Sequence, residues 1–177
     1  MTEPLFFDTD CLSAFLWVNN QSLLVQLYPN RIVIPQEVYA ELSNPCIPHL
    51  KSRVESLIRN QQIKIEGILV GSPEYDLYKE MVFGPYHGQK VIGKGEAAAI
   101  VLAKNRKGIL ASNNLKDIEV YIKKYKLINM TTGDILKEAL SKELITEEDG
   151  NKLWNDMLKK RRKLGYNSFS DYLRDNA

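Results

Sequence analysis

Short, mostly apolar runs recur along this chain at residues 4–7, 31–34, 108–111 and 127–130. Each ends at a polar or turn-forming residue. Each therefore predicts a short strand, those at 4–7 and 108–111 buried. Residues 63–65 read as one more strand, at a sheet edge. Longer stretches lie between these runs, with apolar positions spaced as on one face of a helix. They predict helices over residues 10–19, 22–27, 36–42, 50–59, 73–83, 118–125 and 135–142. A long helix running through residue 164 and a short one over 169–173 complete the series. The run from Glu96 to Ala103 is the strongest helix signal, and its alanines permit close packing on a sheet. Pro35 suits a first helical position, and Asn44-Pro45 stops that helix. Thr131 with Asp134, and Thr146 with Asp149, carry capping-box spacing. Residues 84–88 read as an exposed loop in which Tyr86 and His87 are surface residues. Strands alternating with helices imply an α/β fold with a mostly parallel sheet covered on both faces.

Composition narrows the function classes. At 177 residues the chain fits one domain. A hydrophobic content of 44% and a charged content of 26% are those of an ordinary globular protein. The net charge of +2 does not announce nucleic-acid binding, so any basic surface must come from local clustering. Cys11 and Cys46 follow no metal-ligand spacing and read as reduced thiols, the expectation for a cytoplasmic protein. With only His49 and His87, a histidine zinc site or a histidine-dependent triad has little to draw on. The N-terminus lacks the pattern of a signal peptide. No apolar run approaches the roughly 20 residues that span a bilayer, so no membrane partner is expected.

Four acidic residues change the picture: Asp8, Glu41, Glu96 and Asp117. Each sits near a boundary where a strand or loop hands over to a helix. In open parallel α/β sheets, sites form outside the carboxyl ends of the strands. The pattern can bring all four acids to that edge. Like charges at about 4 Å repel by on the order of 4 kcal/mol at an effective dielectric near 20. A hard divalent cation such as Mg²⁺ or Mn²⁺ offsets that cost and prefers oxygen ligands. Taken singly, Glu96 reads as a helix-dipole residue, Glu41 as a solvated helix residue, and Asp117 as a surface acid or cap. Only the joint pattern favours a site.

These residues resemble a known family. Phe7-Asp8-Thr9-Asp10 is similar to the opening Asp-Thr-Asn of PIN domains. Ile34-Pro35 with Glu41-Leu42 resembles their glutamate-bearing second helix. Gly95-Glu96-Ala97-Ala98-Ala99-Ile100 resembles the third motif. Ser112-Asn113-Asn114-Leu115-Lys116-Asp117-Ile118 resembles the fourth motif of VapC-type toxins. The resemblance covers roughly residues 5–130. It implies a three-layer α/β/α sandwich, with a PIN-like nuclease domain over residues 1–131 and a C-terminal helical extension over 132–177 packed on it. It further implies a Mg²⁺- or Mn²⁺-dependent endoribonuclease, the toxin component of a toxin–antitoxin system, with RNA as substrate, an antitoxin protein as partner and a homodimeric assembly. Carried over, Asp8, Glu41, Glu96 and Asp117 are the catalytic metal ligands. Thr9 and Ser112 hold a carboxylate or phosphate, Asn114 buttresses the site or meets substrate, and Lys94 touches an RNA phosphate. Two departures stand out. Asp10 replaces a common Asn, and Ser112-Asn113-Asn114 lacks the acidic pair of some branches, so Asp117 must supply the fourth acid.

Two rivals remain at this level. One is a PIN-like nucleic-acid- or protein-binding module without catalysis. The other is an α/β phosphatase with Asp8 as nucleophile, for which the expected lysine and downstream acidic pair are missing. Gly93-Lys94-Gly95 lacks the spacing of a nucleotide loop and reads as a turn before a helix. The basic run from Lys159 to Lys163 reads first as a solvated helix end favoured by the macrodipole, and second as a grip on a nucleic-acid backbone. Trp17, Trp154 and Met157 read as core or interface residues.

Overall fold

A computed structural model describes residues 3–84 and 91–176. The predicted loop residues Tyr86 and His87 lie outside the described residues. Five strands form one sheet: β1 (Leu5–Phe7), β2 (Ile32–Pro35), β3 (Lys64–Glu66), β4 (Ile109–Ala111) and β5 (Ile128–Met130). They run in the order β3-β2-β1-β4-β5, and every pairing is parallel. The chain builds outward from β1 through β2 to β3, then crosses back and builds outward through β4 to β5. The switch therefore falls at β1, next to β4, where α/β sheets open a crevice.

Side chains alternate across the sheet, as strand geometry requires. Leu5, Phe7, Ile32, Ile34 and Ala111 enter one core, and Phe6, Val33 and Leu110 enter the other. The first core receives α1 (Thr9–Trp17), α2 (Gln21–Leu27), α3 (Gln36–Leu42), α4 (Pro48–Arg59), α8 (Thr132–Ser141), α9 (Glu147–Lys159) and α10 (Phe169–Asp175). The second receives α5 (Pro73–Phe83), α6 (Lys94–Asn105) and α7 (Leu115–Tyr125). The result is the three-layer α/β/α sandwich with a wholly parallel sheet. Along α6, every residue from Ala97 to Ala103 is fully buried. Only small side chains let a helix lie that deep against both a sheet and α3.

The C-terminal helices belong to the first core. Trp154 is fully buried, packs against Phe169 and Tyr172, and donates its indole N–H to the Tyr166 carbonyl at 3.1 Å. Both predicted capping boxes form, at the starts of α8 and α9. Among the described residues, no helix is long and apolar enough to cross a membrane. Cys11 is buried and Cys46 exposed, and neither is in a disulfide.

Several boundaries differ from expectation, and α6 begins at Lys94, so Lys94 and Gly95 are its first residues and not a turn before it. Pro35 ends β2 and caps α3 instead of opening it. Helix α7 begins at Leu115 rather than 118, which places Asp117 in its first turn. Helix α9 stops at Lys159, five residues early. Its inward stripe of Trp154 and Met157 would next need an apolar residue at position 161, which is Arg161. With nothing left to bury, the helix ends, and Arg161 takes a left-handed conformation at φ 59°.

Candidate active site

Three helix N-termini point at the mouth of the crevice, and each carries one of the predicted acids. Asp8 follows β1 directly and is the N-cap of α1: its Oδ1 accepts from the Cys11 N–H at 2.7 Å. The Asp8 N–H donates to the Ala111 carbonyl at 3.0 Å, which ties the acid to the end of β4. Glu96 occupies the first turn of α6, and Asp117 the first turn of α7. Helix dipoles favour negative charge at such positions, so the backbone itself offsets part of the repulsion among the acids.

Glu41 arrives differently. It lies about two turns into α3 and reaches across to the start of α6. Its Oε1 accepts from the Gly95 N–H at 2.9 Å, and its Oε2 from the Thr9 hydroxyl. Gly95 is required here. A Cβ at that position would stand 2.7 Å from Thr9 Oγ1 and 2.9 Å from Glu41 Oε2.

Asn114 links two of the acids. Its side-chain amide donates to Glu96 Oε1 at 3.0 Å and to Asp117 Oδ2 at 2.9 Å. Asp117 therefore faces the other acids. Ser112 is fully buried, hydrogen-bonds the Asp8 carboxyl and accepts from the Asn114 N–H at 3.3 Å. Ser112 and Thr9 thus each hold a carboxylate. Asn113, which stands where an acid occurs in other branches, lines the cleft and hydrogen-bonds Asp10, and it also donates to Thr132 Oγ1 at 2.9 Å and accepts from the Thr132 N–H at 2.8 Å. That pairing fastens the β4–α7 turn to the start of α8.

All four acids, with Thr9, Asp10 and Asn114, line one cleft of about 740 Å³, within the usual range for ligand clefts. Lys94 does not line it. That lysine is exposed at the start of α6 and borders a neighbouring hollow with Gln36, Glu37, Ala40, Glu41 and Tyr78. Arg161, Arg162 and Lys163 line the same cleft. The reading of the basic run as a solvated helix end holds for Lys159 and Lys160, but residues 161–163 have left the helix and line the cleft. Arg162 donates to Ser13 Oγ at 3.1 Å and meets Asp10 Oδ1 at 3.4 Å, and its guanidinium lies over the Trp17 ring at 5.9 Å. The legible signal was the end of the apolar stripe at Met157.

Charge is costly in this cleft. Burial pushes the Asp8 carboxyl up from 3.8 to about 7; the Ser112 and Cys11 hydrogen bonds oppose the rise, and the charges of Asp10 and Glu96 add to it. Burial likewise pushes Glu96 from 4.5 to about 7; the Asn114 bond opposes this, and the charges of Asp117 and Glu41 add to it. Burial also raises Asp10, against the pull of Arg162 and Lys163. Two carboxylic acids raised toward neutrality in one cleft make it the candidate site.

A divalent cation fits this donor set by its chemistry. The acids offer hard oxygen ligands, and a cation would relieve the electrostatic cost that holds Asp8 and Glu96 near neutrality. As they stand, among the described residues, no three His, Cys, Asp or Glu side chains converge as a ligand set. Their oxygens are instead engaged by Cys11, Thr9, Gly95 and Asn114.

A family profile described as a PIN domain matches residues 5–175, including the C-terminal helices. No curated protein matches the chain. PIN domains are generally nucleases and typically use divalent metals.

Proposed function

The chain belongs to the PIN-domain family, and on that premise we propose that it is a divalent-metal-dependent endoribonuclease. The observation that carries this reading is the meeting of Asp8, Glu41, Glu96 and Asp117 in one cleft, beside a basic wall. Asp8, Glu96, Asp117 and Glu41 would hold Mg²⁺ or Mn²⁺. When bound, such a cation lowers the pKa of water and neutralises charge on a phosphate oxygen. The chain's own residues do the rest. Thr9 and Gly95 orient Glu41, Ser112 and the Cys11 N–H orient Asp8, and Asn114 sets the spacing of Glu96 and Asp117. No side-chain nucleophile is required, which agrees with the scarcity of histidine. The test is cleavage of a single-stranded RNA with Mg²⁺ or Mn²⁺. Cleavage abolished by EDTA supports the proposal, and no cleavage with either metal refutes it.

The biological setting we propose is the toxin half of a toxin–antitoxin pair, with an antitoxin protein covering the acidic cleft and a homodimer as the working unit. It is supported by the resemblance of the fourth motif, Ser112 to Ile118, to that of VapC-type toxins. Co-purification with the product of an adjacent small gene tests it; a chain that binds no such product counts against it.

A second reading, a binding module without catalysis, is favoured by one observation: the carboxylates are engaged by protein donors and do not converge as they stand. Calorimetric titration with Mn²⁺ separates the two. Binding lost on Asp8→Asn supports the enzyme, and no binding near millimolar metal supports the module.

A further inference from the structure

The acidic cleft has a built basic wall, supplied by a segment far away in sequence. We propose that residues 161–163 form the phosphate-binding rim of the cleft, with Arg161 and Lys163 contacting the backbone of a single-stranded RNA and Arg162 positioning them. The inference rests on the nuclease reading for its choice of ligand.

Five acids line the cleft: Asp8, Asp10, Glu41, Glu96 and Asp117. Unaided, they would repel a polyanion. A substrate strand therefore needs cationic contacts close by, and Arg161 and Lys163 are exposed cations lining the same cleft. Their placement is fixed by their neighbour. Arg162 is half-buried, donates to Lys160 O at 3.1 Å, bonds Ser13 and pairs with Asp10. Ser13 is itself buried and donates to the Asp10 carbonyl. Beyond the turn at Arg161 the chain is no longer helical, so consecutive side chains need not share a face. With Arg162 held against α1, its two neighbours stay exposed at the rim. Trp154 and Gly165 hold the following turn: the indole bonds the Tyr166 carbonyl, and Gly165 adopts φ 82°. The cations thus sit on a fastened segment rather than on a free tail.

The magnitude follows from counterion release. Two phosphate contacts to a single strand contribute a slope of about −1.4 in log affinity against log salt, and about 25-fold in affinity at 0.1 M salt. The experiment is fluorescence anisotropy with a labelled single-stranded oligoribonucleotide in EDTA, over a salt series. Arg161→Ala/Lys163→Ala is expected to bind about 25-fold more weakly than wild type at 0.1 M salt, with the slope reduced by about 1.4. Arg59→Ala/Lys64→Ala removes the same charge away from the cleft and is expected to bind as wild type. Arg162→Ala is expected to lower the slope too, yet to add little in the Arg161→Ala/Lys163→Ala background, because it acts through those residues. Unchanged affinity and slope in the rim variant overturn the inference, as does an equal loss in the control. If wild type fails to cleave but the rim variant loses RNA binding, the nuclease reading falls and the rim stands. If wild type cleaves and the rim variant binds and cleaves alike, the rim falls and the nuclease reading stands.

Discussion

Replacing Asp8 with Asn should stabilise the metal-free protein at pH 8 and leave it nearly unchanged at pH 4. Asp8 is only 3% exposed, and its carboxyl is pushed from 3.8 to about 7, chiefly by burial. The folded state therefore binds a proton that the unfolded chain releases near pH 4. Stability contributed by that proton is present below about pH 4 and is lost as pH rises toward 7. A difference of about 3 pH units corresponds to about 4 kcal/mol, an upper figure because local relaxation reduces it. The amide keeps the capping oxygen for the Cys11 N–H, and Asn caps helices as well as Asp does. The Ser112 hydroxyl can rotate to accept from the new N–H₂. The substitution thus removes a buried charge without removing the cap. Urea unfolding in EDTA at pH 4, 6 and 8 reads the effect. Wild type should lose stability across this range, and Asp8→Asn should lose distinctly less. The residual slope belongs to Glu96, which is raised as well. Added Mn²⁺ should stabilise wild type by about 2.7 kcal/mol at a hundredfold excess over Kd, and the variant far less. A variant whose stability falls with pH as steeply as wild type would refute the reasoning.

Three further outcomes are expected. Asn114→Ala removes the amide between Glu96 and Asp117; hydrogen bonds to charged groups contribute about 1.5–3 kcal/mol, so a loss of about 2 kcal/mol should appear in urea midpoints at pH 8 and shrink at pH 5, where Glu96 is protonated. Gly95→Ala places a Cβ against Thr9 and Glu41; overpacking of about 1–3 kcal/mol outweighs the helix-propensity gain of under about 1 kcal/mol, so thermal stability and Mn²⁺ affinity should both fall, and a more stable variant would contradict the packing described. Gly150→Ala drives a Cβ into the Phe169 ring; a cost of about 1–3 kcal/mol should register as faster amide exchange in α10.

What the sequence made legible was local. Asp8, Glu96 and Asp117 sit at the N-cap or in the first turn of a helix, a placement set by the residues around them. Strands β1 and β4 and the helix from Glu96 were readable for the same reason, since their burial is written in apolar runs. Glu41 was harder. Its direction depends on an N–H of α6 and on the absence of a Cβ at Gly95, contacts made across 54 residues. The order β3-β2-β1-β4-β5 is likewise a long-range result that periodicity does not encode. Composition misled at 161–163, because a basic run suits a helix C-terminus in the abstract. Here the apolar stripe had already ended, and Arg162 found Asp10 and Ser13 some 150 residues away. The departure of Asp10 from the common Asn makes sense only once its arginine partner is seen.

The central claim is that the gathered carboxylates hydrolyse RNA with a divalent metal. The most direct measurement compares cleavage of one single-stranded RNA by wild type and Glu96→Gln in Mn²⁺ at pH 8. Glu96→Gln keeps the side chain's size and its acceptor for Asn114 but cannot ligate as a carboxylate. The account predicts metal-dependent cleavage by wild type, reduced by at least about 100-fold in the variant, a barrier difference of about 2.7 kcal/mol. Equal cleavage by the two proteins would contradict it.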